Sequence, residues 1–372
     1  MYNVIRLPKI VKKKTNNYKG VLKLDYFEIE ERETGGLIAN NRFQYQVHWA
    51  LNKIIEMYES GKEFVLFMEM FEDIFIFDRN KSKCNDEIEL YQIKTNKEKG
   101  KLWSIKTLTS ASDDKLSFVG KMFDTYLKLE GSTQKLSFVS NLGYNINLDS
   151  GESKKMNRIM LNQVNTKDFN LFKERVCKNC HDGICTEQCK TVLTFETSHL
   201  GLNNYKDSTR GKLMNFLHKN GMGLISEGEA VYNTLVSEIN KISSEEDVPL
   251  KYRGSISFDC FKNYIDSFYE VSNNKSNWDN IYVTLLHEGY KPLEIKKMKE
   301  NYNEFIIESI SDFKGIMSGI KDDIDKLILK YSKSKNIKKL VAKILSDLKK
   351  KNYYDTYSEE IFQIAIIAGV VI

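Results

Sequence analysis

The sequence predicts an α/β domain with a mixed central sheet, followed by a mainly α-helical C-terminal third. Three observations lead there. Residues 37–58 carry apolar side chains at helical spacing, three apolar runs follow one another between residues 64 and 95, and helix-period patterns dominate beyond Pro249.

The elements follow in chain order. Phe43, Val47, Ala50, Ile54 and Tyr58 lie on one helical face, preceded by the turn-forming pair Gly35 and Gly36. FVLFMEM, DIFIF and ELYQIKT read as three consecutive strands, the last two separated by a polar loop with Asn80, Lys81 and Asn85. Helical spacing returns over Lys115–Leu129 through Leu116, Val119, Phe123 and Tyr126, and LSFVS at 136–140 reads as a short buried strand. A cysteine-rich insertion occupies 177–189, then TVLTF and helical stretches from about 208 to 245. SSEEDVP, ending at Pro249, is the linker candidate, which divides the chain into 1–248 and a helical region 249–372 for partner binding or oligomerisation. In that region Ile337, Leu340, Val341, Ile344 and Leu348 form one apolar stripe among lysines on a helix read from Lys321 to Lys351. Its outer lysines are a solubilising face, a DNA contact or a docking face for a coiled-coil partner.

Bulk properties exclude several classes. With 372 residues, 41% of them hydrophobic, the chain can bury a sizeable core and is not a disordered one. A formal charge of +5 tilts weakly toward polyanionic partners. MYNVIRLPKIVKKK offers no apolar stretch of secretory length, so a cytoplasmic protein is expected. The longest apolar run, Ile361–Ile372, falls short of the roughly 20 residues that span a bilayer and reads as a buried strand, a buried helix or a surface covered by a partner chain. No G-x-x-x-x-G-K-[ST] loop is present, so ATP hydrolysis is not expected of this chain.

The chemistry concentrates at two strand ends. Side chains alternate along a strand, so Gln92 and Lys94 share one face of ELYQIKT while Ile93 points into the core. If DIFIF pairs beside it, Asp73 reaches the same place. Magnesium takes hard oxygen ligands, commonly one or two carboxylates with waters and substrate phosphate. Asp73 is then the anionic ligand, the Gln92 amide and the Ile93 backbone carbonyl are neutral ones, and Lys94 orients the attacking water or stabilises transition-state charge. A glutamine where an acid could stand weakens the hold on the metal, so a further carboxylate is expected, with Glu69 and Glu72 as candidates. The pattern is short, and a solvated strand edge accounts for it as well.

A second cluster, VCKNCHDGICTEQCK, spaces Cys177, Cys180, Cys185 and Cys189 as C-x2-C-x4-C-x3-C. Four thiolates on a short loop suit tetrahedral Zn²⁺, whose binding folds a segment with almost no apolar core. A disulfide pair is the rival reading, disfavoured in a reducing cytosol. With four thiolates the shell is closed, so the zinc is structural, and His181 is a substitute ligand at most. Cys84 and Cys260 read as ordinary thiols. Downstream of the strand motif, Lys97, Lys99, Lys101 and Lys106 surround Trp103 and either neutralise DNA phosphates or form a solvated loop with a core Trp.

ETGGLIANNRFQYQVHWAL, MEMFEDIFIF, ELYQIKTNK, KLWSIKTLT and LSFVSN occur in an order that resembles the PD-(D/E)XK nuclease superfamily in its Q-x-K variant. More narrowly, they resemble the N-terminal double-stranded DNA endonuclease domain of bacterial antiphage effectors, those associated with cyclic-oligonucleotide signalling and with Lamassu-type defence. The likeness covers residues 30–145 and extends loosely to 245. It implies a restriction-endonuclease-like sheet, Mg²⁺ or Mn²⁺ as catalytic metal, and Asp73, Gln92 and Lys94 as the core of the site, with Gln46 of the first helix lining it and Glu69 assisting. Effectors triggered by cyclic oligonucleotides carry a large C-terminal sensor for which this length leaves too little room. A helical tail fits better the Lamassu-type effector, which implies an SMC-like ATPase and a small accessory subunit as partners; because an unrestrained nuclease would be toxic, a homo-oligomer on activation, with two sites on opposite strands, is expected as well. The expectation from another class is a catalytically silent nucleic-acid-binding or scaffold subunit that keeps the sheet without the cleavage chemistry.

Overall fold

The first helix, α1 (Gly35–Glu59), starts at the glycine pair expected to precede it and ends in a left-handed glycine, Gly61, with φ 70°. Lys62 N–H donates to Met57 O and Gly61 N–H to Tyr58 O, a Schellman closure that satisfies the last carbonyls of the helix. Burial extends beyond one stripe, over Tyr45, Val47, Trp49, Ala50, Leu51, Ile54, Ile55 and Met57. The reason is visible in its polar residues. Gln44, His48 and Asn52, one turn apart, bond Asn240, Tyr232 and Thr209, so helices cover α1 on the side away from the sheet.

The structure is a computed structural model that describes residues 35–78, 87–97, 100–111, 115–129, 133–152, 156–177, 190–221, 225–243, 254–274, 278–313, 316–351 and 357–371. By its contacts the chain divides into Met1–Asn40, of which residues 35–40 are described as the first turns of α1, and Asn41–Ile372, one compact unit.

All three expected strands form: β1 (Phe64–Met70), β2 (Glu72–Asp78) and β3 (Glu87–Lys94) make an antiparallel meander. Two helices, α2 (Ile105–Leu108) and α3 (Phe118–Lys128), cross back to β4 (Thr133–Ser140), which runs parallel to β3. Helix α3 starts three residues later than its periodicity suggests, because the Ser117 hydroxyl accepts from Gly120 N–H and caps it. A two-stranded ribbon, β5 (Asn147–Leu148) and β6 (Gly151–Glu152), then leads to β7 (Arg158–Met160), α4 (Thr166–Cys177) and β8 (Leu193–Thr197), and β8 lies parallel to β4. Helices α5 (Tyr205–Lys219) and α6 (Ile225–Ser243) follow, and β9 (Ile256–Ser257) adds to the outer edge of β1. The sheet order among the described residues is β7-β8-β4-β3-β2-β1-β9, a mixed sheet.

Each face of this sheet is apolar. Ile74, Ile76, Tyr91 and Ile93 join the core shared with α1, α5 and α6, while Phe75, Ile88 and Leu90 join the core under α2, α3 and α4. The C-terminal helices α7 (Phe258–Asn274), α8 (Trp278–His287), α9 (Pro292–Ile310), α10 (Ile316–Lys330), α11 (Ile337–Lys349) and α12 (Glu359–Val371) continue the first of these cores. The apolar C-terminal run is a buried helix, α12, packed against α8, α9, α10 and α11. Among the described residues no helix is long and apolar enough to cross a membrane.

One expectation changes: Lys321–Lys351 is two helices, not one. The Asn336 side chain accepts from Lys339 N–H and starts α11 afresh, leaving its stripe of Ile337, Leu340, Val341, Ile344 and Leu348 buried as read. The linker candidate at 244–249, the polar loop with Asn80, Lys81, Cys84 and Asn85, and Cys180, His181, Cys185 and Cys189 lie outside the described residues; Cys177 ends α4.

Candidate active site

The meander builds the site by ending its ladders early. Strands β2 and β3 pair from Asp78–Glu87 up to Ile74–Tyr91 and then part. Beyond that point the N–H of Ile93 is met by a side chain: Asp73 Oδ2 accepts from it at 2.6 Å. On the other side, β1 and β2 pair at Met68–Ile74 and Met70–Glu72, with Phe71 as a one-residue reversal. No Gly serves this turn. Glu69 and Phe71 take φ values of 52° and 65°, a left-handed backbone that costs an L-residue about 1–2 kcal/mol.

Three side chains and one backbone N–H meet around the Asp73 carboxylate. Lys94 Nζ stands 3.6 Å from Oδ2, and the Gln92 and Gln46 side chains hydrogen-bond the carboxylate, the former from β3 and the latter from α1. Asp73, Gln92 and Gln46 are buried, while Lys94 is partly open to solvent, with its ammonium 5.5 Å from the Phe118 ring centre. Burial pushes the Asp73 carboxyl above its ordinary value, and the pull of Lys94, the Ile93 N–H and the two amides does not fully offset it. The sequence-predicted Asp73, Gln92, Ile93, Lys94 and Gln46 are therefore together.

The remaining acid is divided between two positions. Glu69 is exposed near the end of β1, whereas Glu72 is buried next to Asp73. Burial raises the Glu72 carboxyl to about 7, with the charge of Asp73 adding to the rise and the Thr125 hydroxyl, Lys94 and Lys121 opposing it. Thr125 Oγ1 donates to Glu72 Oε1 at 3.1 Å, which ties this acid to α3. Thr125 and Lys121 were not legible as site residues, because their only signal is one helical turn of spacing on a helix whose docking angle the sequence does not encode.

Do these groups suit a divalent cation? Two buried carboxyl groups in succession, both raised chiefly by burial, would have their charged forms favoured by a bound cation, and the Gln92 amide supplies a hard oxygen type. Among the described residues no group of three or more His, Cys, Asp or Glu side chains is placed to hold a metal. Two carboxylates with neutral oxygens are a magnesium-type set, so the residues fit.

The loop after β3 is pinned. Asn96 and Asn141 exchange bonds, Asn96 N–H to Asn141 Oδ1 at 2.9 Å and Asn141 Nδ2 to Asn96 O at 3.0 Å. Trp103 Nε1 donates to Ser140 Oγ at 2.7 Å, and its ring packs edge-on against Phe138 and Phe118, so this Trp is part of the scaffold. Lys97, Lys101 and Lys106 are exposed around it; Lys99 is not among the described residues. A separate polar recess of about 230 Å³ opens between α1 and the β4, β8 and β7 side of the sheet, lined by Asn52, Lys53, Lys135, Arg158, Glu196 and His199 among others. Its cations are already met by acids, Lys135–Glu196 at 2.8 Å and Lys53–Glu56 at 2.9 Å.

The family described as "Cap4, dsDNA endonuclease domain" matches residues 34–243, from α1 to the end of α6, which is more than half of the chain. The chain belongs to this family of double-stranded DNA endonuclease domains. Among individual proteins, it is similar to the Lamassu protein LmuA of Bacillus cereus (strain VD014), with 21% identity over 319 residues, 82% of either chain. No solved structure matches it.

Proposed function

We propose that this protein is a metal-dependent double-stranded DNA endonuclease that serves as the effector of a bacterial antiphage defence system of the Lamassu kind. One observation carries the reading: in a chain of the endonuclease family, Lys94 Nζ stands 3.6 Å from a buried Asp73 carboxylate that also takes the Ile93 N–H and the Gln92 and Gln46 amides. Asp73, Gln92 and the Ile93 carbonyl would hold Mg²⁺ or Mn²⁺, with Glu72 rather than Glu69 as the second acid. A bound divalent ion supplies Lewis-acid activation of the phosphodiester and of water. Lys94 holds its ammonium beside the reacting phosphate and offsets the charge that grows there. Gln46 and the Ile93 N–H fix the carboxylate in place.

Other parts of the reading concern assembly. The chain works as two parts that meet at 248/249, a restriction-endonuclease-like N-terminal part and a helical region that docks partners. Cys177, Cys180, Cys185 and Cys189 hold one structural Zn²⁺ that staples the insertion between α4 and β8. An SMC-like ATPase and a small accessory subunit restrain the nuclease until triggered, and a homo-oligomer brings two sites to opposite strands. Support for these partners comes from the similarity to a Lamassu protein.

The direct test incubates plasmid DNA with the protein and Mg²⁺ or Mn²⁺, alongside Lys94→Ala and Asp73→Ala. Loss of cleavage in both variants is expected. Cleavage that survives both removes these residues from the chemistry, and a wild-type chain that binds DNA without ever cutting it points to a scaffold subunit.

A further inference from the structure

The run Met68-Glu69-Met70-Phe71-Glu72-Asp73 reverses the chain through a single residue that is neither Gly nor Asn. Phe71 sits there with φ 65°, a conformation that glycine adopts freely and phenylalanine does not. The residue is also 46% exposed. Folding alone favours glycine on both counts, since no core depends on the outer part of this ring. The ring nevertheless has a neighbour, its centre 5.6 Å from that of buried Phe75, which continues in a row to Phe67 and Phe77. A strained turn thus projects an aromatic ring into solvent two residues before Asp73.

A second ring stands by the other half of the ion pair. Phe118 is 37% exposed, and the Lys94 ammonium lies 5.5 Å from its centre. Bare aromatic rings contribute nothing to phosphate recognition, which is electrostatic. They suit the base stack, where apolar wedges part neighbouring base pairs and kink the duplex. Asp73 is only 8% exposed, so the backbone of a straight duplex, a convex rod, must deform to bring a phosphate down to it.

We propose that Phe71 is an apolar wedge that enters the base stack beside the scissile phosphate, so that the protein unstacks duplex DNA locally as it cuts. The inference rests on the Asp73–Lys94 cluster being a DNA cleavage site. It adds a mode of substrate engagement: the enzyme bends its target, and DNA that is already unstacked at the cut needs no wedge.

The test compares Phe71→Gly and Phe71→Leu with wild type on two substrates, a fully paired duplex and the same duplex with a short mismatched bubble. Phe71→Gly removes the ring and relaxes the backbone, so folding is not endangered. It should cut the paired duplex about tenfold more slowly or worse, and recover close to the wild-type rate on the bubble. Phe71→Leu, still an apolar wedge, should retain most activity on both. In the Lys94→Ala background, a 2-aminopurine placed at the cut should brighten on binding of protein with Phe71 and stay quenched with Phe71→Gly. Equal cutting of the paired duplex by Phe71→Gly and wild type, or an equal loss on both substrates, overturns the wedge alone. Wild-type protein that cuts neither substrate overturns the endonuclease reading and the wedge with it.

Discussion

Replacing Asp73 by Asn separates what the site needs for folding from what it needs for function. The Asp73 carboxyl is held above its ordinary value by burial, so its surroundings on balance, and despite Lys94, favour the neutral form more than water does. Asn is that neutral form in nearly the same shape, and its oxygen can still accept the Ile93 N–H that Asp73 takes at 2.6 Å. The variant should therefore be more stable than the wild type at pH 7 in EDTA. The sign follows from proton linkage. A carboxyl with a raised folded pKa contributes stability below its unfolded value, and that contribution is lost as pH rises through the folded value. The advantage of Asn should therefore vanish toward pH 3 and be fully present at neutral pH. Mg²⁺ at about ten times its dissociation constant should stabilise the wild type by about 1.4 kcal/mol and the variant hardly at all. Cleavage should fall about 10²-fold or more. Urea denaturation with and without Mg²⁺ measures all but the last. An Asn variant less stable than wild type in EDTA, or equal stabilisation of both proteins by Mg²⁺, would refute the reasoning.

The other expected outcomes test the scaffold and the insertion. Glu89 is partly buried, which raises its carboxyl, but the hydrogen bonds from Lys62, at 2.6 Å, and from the Tyr91 hydroxyl prevail and hold it down to about 2. Lys62→Met should cost about 2 kcal/mol at pH 7, discounted for the partial exposure of Lys62. The gap from wild type should close as pH falls from 4.5 toward 2, and urea denaturation at pH 7 and pH 3 shows whether it does. Ile344→Ala removes a fully buried side chain from α11 and should cost about 2–5 kcal/mol; a loss well under 1 kcal/mol would mean that this stripe is not packed. Cys185→Ser should take the zinc content of the purified chain from near one ion to near none by mass spectrometry, and unchanged zinc would dismiss the four-cysteine site.

Much of the fold was legible because its signals are local. The α1 stripe, the three strand runs and the α11 stripe each announce themselves within a few turns of chain, and burial follows the α11 periodicity, whereas α1 is buried over more than its stripe. The helix break at Asn336 was less legible, since a capping asparagine among lysines resembles any polar residue on a solvated helix face. The short edge strands β7 and β9 had no signal of their own. They exist because β8 and β1 offer them an edge, a tertiary cause that no residue pattern in Arg158–Met160 or Ile256–Ser257 reports.

The site divides along the same line, and the division explains its chemistry. Strand alternation placed Gln92 and Lys94 on one face, and pairing of neighbouring runs brought Asp73 to them. What alternation could not decide was which second acid accompanies Asp73, because that depends on the reversal at Phe71. A regular two-residue hairpin would have continued the ladder and spaced the acids evenly on alternate faces. The one-residue reversal instead leaves Glu69 in solvent and carries Glu72 inward to the Thr125 hydroxyl. The backbone strain at residues 69 and 71 and the raised carboxyl of Glu72 are thus two consequences of one choice of turn. Both oppose folding, and a bound cation would relieve the second without touching the first.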